Sequence, residues 1–144
     1  MSWAAALPES VGGDCRAIMT VVVPARCGCD LSCPFCYIQQ RSEEATVRDL
    51  TPLDYSRFIS DVSGLGHVCI QGYEPLLPDS FPYTQQILET GQRLGIPTSL
   101  VTNGTHLRQD VPALSKLRPA RIAVSLDSAE AAVHDKARGQ GRRV

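Results

Sequence analysis

The stretch HVCIQGYEPLLPDSFPYTQQILETGQRLGIPTSLVTNG, residues 67–104, changes its character twice. HVCIQGYE reads as a short strand. SFPYTQQILETGQRLG reads as a helix, opened at Ser80 and stopped near Gly95. IPTSLVTNG is a second strand, closed by the turn pair Asn103–Gly104. Strand, helix and strand over this length make a βαβ unit, whose two strands run parallel and whose crossover is right-handed.

The alternation continues in both directions. Upstream, RAIMTVVVPA (residues 16–25) is a continuous β-branched apolar run ended by Pro24, as expected of a strand buried on both faces. TPLDYSRFISDVSGLG then reads as a helix, with Thr51 as N-cap, Pro52 at the first helical position and Asp54 in the first turn. Leu53, Phe58, Ile59 and Val62 give it an apolar stripe, and Gly64 and Gly66 stop it. Downstream come a shorter helix (QDVPALSKLRP), a fourth strand (RIAVSLDS) and a fourth helix (AEAAVHDKARG). The order βαβαβαβα predicts an α/β fold built on a parallel sheet.

Composition sets the outer limits. With 144 residues, 43% of them apolar, the chain is long enough for one domain; a domain of this size buries roughly 68–70% of its unfolded surface. Fourteen basic residues against 15 acidic ones leave a formal net charge of −1, which points to neither a nucleic acid nor a membrane as partner. Eight of the fourteen basic residues lie from Arg108 onward, but they are scattered. No apolar run approaches the ~18 residues of a membrane helix. The opening MSWAAALPES lacks the length and the basic start of a secretory signal. A cytoplasmic location, where thiols stay reduced, is therefore the expectation.

Directly after the first strand, Cys27, Cys29, Cys33 and Cys36 place four of the six cysteines within ten positions. A disulfide framework, a zinc site and an iron–sulfur cluster compete to explain them. A reducing compartment disfavours the first. A closed zinc site wants four ligands, usually as two pairs, and a ferredoxin cluster also wants four. No convincing fourth ligand joins the triplet: Cys27 lies only two residues before Cys29, Cys69 falls inside a strand, and Cys15 precedes the first strand. Thiolates are soft donors suited to iron–sulfur clusters or zinc. Sites in such folds gather at the carboxyl ends of the strands. Here those ends carry the cysteine loop, QGYEP, TNG and SLDS.

Cys29, Cys33 and Cys36 have the Cys-x3-Cys-x2-Cys spacing of the radical S-adenosylmethionine (radical SAM) enzymes, with Phe35 before the last cysteine and Tyr37 after it. GYEPLL (residues 72–77) resembles that family's Gly-Gly-Glu-Pro-Leu-Leu turn. VTNG (101–104) and VSLDS (124–128) resemble its third and fourth strand ends, and HDKARG (134–139) the run that follows. The resemblance covers residues 17–139, nearly the whole chain.

This resemblance implies a partial TIM-type barrel, of whose six βα units the chain supplies about four. Residues 1–15 would be an N-terminal extension, and residues 16–144 a core domain shortened at its C-terminal end. It implies a 4Fe–4S cluster held by Cys29, Cys33 and Cys36, with one iron left to chelate the amino and carboxylate groups of SAM. Reductive cleavage would then give methionine and a 5′-deoxyadenosyl radical, with the electron coming from a small donor protein of the flavodoxin or ferredoxin type. The substrate is not legible. A non-catalytic iron–sulfur or SAM-binding module is the alternative.

The resemblance also assigns roles by position. Phe35 would pack beside the adenine or shield the cluster, with simple loop packing as the alternative. Gly72, Tyr73 and Glu74 would meet the methionine amino group; Tyr73 stands where relatives carry a second glycine, the residue that permits close approach and unusual dihedrals. Thr102 and Ser125 resemble positions that bind the SAM carboxylate or ribose, with capping of the next turn or helix as the alternative. Asp127 is a candidate helix N-terminal acid. His67, His106 and His134 are not spaced as a metal set, and His134 is expected on a helix surface.

Overall fold

The computed structural model describes residues 16–23, 28–36 and 50–139. Tyr37, Cys15, Cys27 and Trp3 lie outside the described residues. Strands β1 (Ala17–Val22), β2 (Leu65–Gln71), β3 (Thr98–Thr102) and β4 (Arg121–Val124) form one sheet in the order β1-β2-β3-β4, all parallel. Helices α1 (Pro52–Asp61), α2 (Phe81–Leu94), α3 (Leu107–Leu117) and α4 (Ala131–Arg138) alternate with them. Spatial order equals chain order, so every crossover steps in the same direction. That is how a barrel wall is built, whereas a doubly wound sheet reverses at a switch point. The parallel α/β sheet expected from the alternation and the partial barrel implied by the resemblance are the observed fold.

Local chemistry explains the helix ends. Thr51 and Asp54 close a capping box on α1: the Asp54 N–H donates to Thr51 Oγ1 at 3.3 Å and the Thr51 N–H donates to Asp54 Oδ2 at 2.8 Å. Helix α2 stops at Gly95, whose φ of 68° is left-handed. Ser80 marks its start, but the hydroxyl does not cap; it is buried with no partner among the described residues. Gly91 sits inside α2 because a Cβ there would lie 2.3 Å from Thr98 Cγ2, so the helix can approach β3 only at a glycine.

The core lies between the sheet and its helices. Val68, Ile70 and Leu100 from β2 and β3 meet Ile59, Ile87 and Leu88 from α1 and α2. Tyr55 and Tyr83 join α1 to α2 edge to face, with ring centroids 5.6 Å apart, and a buried Ser56–Thr90 hydrogen bond of 2.7 Å ties the same pair.

Three expectations need correction. Strand β1 is not buried on both faces: it lies at the sheet's edge, its burial alternates, and Ile18 is 74% exposed. Helix α3 begins at Leu107, two residues before the expected start, which leaves Pro112 inside the helix. Helix α4 begins at Ala131, after an extended Glu130. Asp127 therefore stands outside it, and its carboxylate lies 2.6 Å from Arg138 Nε near the opposite end of α4.

Candidate functional site

The register brings Val22 beside Gln71 and Thr102 beside Val124, so the chain leaves all four strands at one rim. On that rim stand the cysteine loop after β1, Gly72–Tyr73–Glu74 after β2, Asn103–Gly104 after β3 and Ser125 after β4.

Glu74 is the hub. Its side chain is fully buried, and Oε1 accepts from the Thr102 hydroxyl at 2.5 Å and from the Leu76 N–H at 3.0 Å. Oε2 accepts from the Asn103 N–H at 2.7 Å, and the Glu74 N–H donates to the Gly28 carbonyl at 3.2 Å. One residue thus ties the ends of β2 and β3 to the cysteine loop. Burial pushes its carboxyl above the usual range, while the bonds from Asn103, Thr102 and Leu76 hold it down. Its side chain faces inward, and the Thr102 hydroxyl gives its proton to Glu74 and accepts from the Gly104 N–H at 3.0 Å. Ser125 differs: it is half-buried, and its hydroxyl has no partner among the described residues.

The turn after β2 is strained. Gly72 has φ 78°, and a Cβ there would lie 2.5 Å from Val22 Cγ1. Tyr73 also takes a left-handed φ, 44°, so the tyrosine adopts backbone geometry suited to the glycine it replaces.

The cysteine loop is gripped from two sides. From β3, the Asn103 side chain donates to Asp30 Oδ1 at 2.7 Å and to Cys29 Sγ at 3.7 Å, and His106 Nε2 lies 3.5 Å from Asp30 Oδ2. From α4, the Cys33 thiol donates to the Arg138 carbonyl at 3.6 Å and the Ser32 hydroxyl to the Gly139 carbonyl at 3.3 Å. The Arg138 guanidinium also stands 5.8 Å from the ring centre of Phe35, which is more than half exposed. Asn103 was legible only as a turn residue, His106 was set aside as no part of a metal set, and Asp30 and Arg138 were missed. The signals were an acid beside Cys29 and the arginine before the last glycine of HDKARG. His134 sits on α4 with Nδ1 accepting from the Asp127 N–H at 3.3 Å.

Cys29, Cys33 and Cys36 are free thiols, all half-buried, and the Cys36 N–H donates to the Cys33 carbonyl in a tight turn at 3.0 Å. Burial pushes the Cys29 thiol up, helped by the charges of Asp30 and Glu74 and opposed by hydrogen bonds from the Leu31 backbone and Asn103. Among the described residues, no three His, Cys, Asp or Glu side chains converge on a point that could hold a single metal ion. A cubane has separate iron corners, so its thiolates need not converge in that way. Three free, soft donors in one short loop at the rim suit such a cluster.

The radical SAM superfamily model matches residues 24–143. An AdoMet-dependent heme synthase from Methanosarcina barkeri is 36% identical over 118 residues, 78% of this chain and 32% of that protein. A probable GTP 3′,8-cyclase from Methanococcus vannielii is 28% identical over 124 residues, covering 85% of this chain and 40% of the relative. The chain thus spans well under half the length of these relatives. The crystal structure of Streptococcus suis SuiB bound to S-adenosylmethionine shares the fold at a TM-score of 0.65, with 22% identity over 84% of this chain and 27% of that one. With a match running from the cysteine loop through α4, the chain belongs to the radical SAM superfamily.

Proposed function

We propose that this chain carries the part of a radical SAM enzyme core that holds a 4Fe–4S cluster on Cys29, Cys33 and Cys36 and orients SAM along the rim. When bound, the cluster supplies the electron that cleaves SAM to methionine and a 5′-deoxyadenosyl radical. The observation that carries this reading is the wiring of the rim: Glu74 and Asn103 join the thiol loop to the ends of β2 and β3. Carbonyls of the strained Gly72–Tyr73 turn would accept from the methionine ammonium. The unpartnered Ser125 hydroxyl would donate to the SAM carboxylate or ribose. Thr102 would act through Glu74 by keeping the rim in shape. Phe35 would pack beside the adenine or screen the cluster, and Tyr37, which follows Cys36 in the sequence, stays a cofactor-binding candidate. The electron would come from a flavodoxin- or ferredoxin-type donor.

Anaerobic reconstitution with iron and sulfide tests the reading. The chain should take up a brown, air-sensitive cluster. Cys29→Ala, Cys33→Ala and Cys36→Ala should each lose it, and Cys69→Ala should keep it. SAM should then change the electron paramagnetic resonance spectrum of the reduced protein, and 5′-deoxyadenosine should form. A spectrum unmoved by saturating SAM would favour a plain electron carrier. Retention by Cys29→Ala with loss by Cys69→Ala would refute the ligand assignment.

A further inference from the structure

We infer that Asn103 is a positioning residue that raises the reduction potential of the cluster by donating a side-chain amide hydrogen to Cys29 Sγ. The inference rests on the cluster assignment proposed above.

The amide of Asn103 is oriented from several sides. Its Oδ1 accepts from the Thr105 N–H at 2.9 Å and from the Thr105 hydroxyl at 2.7 Å. Its own backbone N–H is tied to Glu74 Oε2 at 2.7 Å. Nδ2 gives one hydrogen to Asp30 Oδ1 at 2.7 Å, and His106 holds the other oxygen of that carboxylate. The Thr105 N–H can only donate and an ionised carboxylate can only accept, so the two ends of the amide cannot be exchanged. With one amide hydrogen on Asp30, the other points to Cys29 Sγ, 3.7 Å from Nδ2.

A hydrogen bond to a ligating sulfur stabilises the more negative, reduced cluster over the oxidised one, and so raises its potential. Asp30 and Glu74 act in the opposite sense, because both place negative charge near the same sulfur. Asn103 touches Asp30, Glu74 and Cys29 together.

The test is a redox titration of the reconstituted chain, with iron per chain measured alongside. Asn103→Asp keeps the acceptor for Thr105 and the backbone bond to Glu74, but in its ionised form it has no side-chain hydrogen to donate. Asn103→Ala removes the whole amide. Both should still load iron, with potentials more negative than the parent. The expected change is on the order of tenfold in the reduction equilibrium, or about 59 mV for a one-electron couple. Both shifts should have the same sign, because both variants lose the amide hydrogen directed at Cys29 Sγ. Thr105→Ala, which only loosens the amide, should move it the same way by less. Loaded variants with the parent's potential would overturn the inference, as would loss of iron from both, which would make Asn103 merely structural. A parent chain that takes up no cluster would instead overturn the assignment beneath it.

Discussion

Tyr73 carries a phenol ring on a backbone that suits glycine. At φ 44° an L-residue crowds its own Cβ, at a cost of roughly 1–2 kcal/mol. The ring offsets part of this by packing against the core. Truncation separates the two contributions: Tyr73→Ala loses the ring and keeps the strain, whereas Tyr73→Gly loses both. Glycine should therefore be the more stable variant by about 1 kcal/mol, the reverse of the order in ordinary helix or strand positions. Urea midpoints of the two variants decide the matter, and an alanine variant equal to or above glycine would show that the turn is not left-handed in solution. The resemblance of GYEPLL to the family's turn singled out Gly72, Tyr73 and Glu74. It could not say that the Glu74 side chain turns inward to Thr102 and Asn103, because those partners lie 28 and 29 residues away.

Helix α4 closes on the cysteine loop through Gly139. Its φ is 71°, and a Cβ there would lie 2.4 Å from the Ser32 carbonyl oxygen. Gly95 ends α2 with nearly the same φ, 68°, but has open space around its missing Cβ. Gly95→Ala should therefore cost only the left-handed penalty, about 1 kcal/mol. Gly139→Ala should cost that plus a clash with backbone that must shift, and its effect should be local. Hydrogen exchange should show α4 losing protection while β2 and β3 keep theirs. Equal effects of the two substitutions, or uniform loss of protection, would mean that α4 does not rest on Ser32. Helix ends such as the Thr51–Asp54 box and Gly95 were legible because caps act within one turn of chain. The exposure of β1 was not, because an apolar strand reads the same whether it sits inside a sheet or at its edge. The early start of α3 was missed for a related reason. His106 opens that helix without a side-chain cap, so no local signal marked the boundary.

At the scale of the whole molecule, the sheet has two free edges among the described residues, β1 and β4. All four residues of β4 are exposed, and Ile122, Val124 and Leu126 stand in the open. Beside them a groove of about 300 Å³ runs between α3 and β4, lined in part by Val111, Leu114 and Ile122. Unpaired strand donors and acceptors next to apolar surface form a template for pairing with another chain. Strand β1 also exposes Ile18 and Val22, but α1 leans on it through the Tyr55 hydroxyl, which donates to the Val22 carbonyl at 3.0 Å. The 144-residue chain studied alone should consequently self-associate through β4. A lysine on an edge strand discourages pairing, because its charge would have to be buried or brought against a like charge. Val124→Lys should shift sedimentation towards the monomer, and Ile18→Lys should have little effect. The rim should be untouched by either change, since Val124 makes none of the hydrogen bonds that join Glu74, Asn103 and the cysteine loop, so iron uptake per chain should stay at the parent's level. A parent chain that sediments as a monomer at high concentration would sink this account. Dispersal by Ile18→Lys but not by Val124→Lys would move the sticky edge to β1.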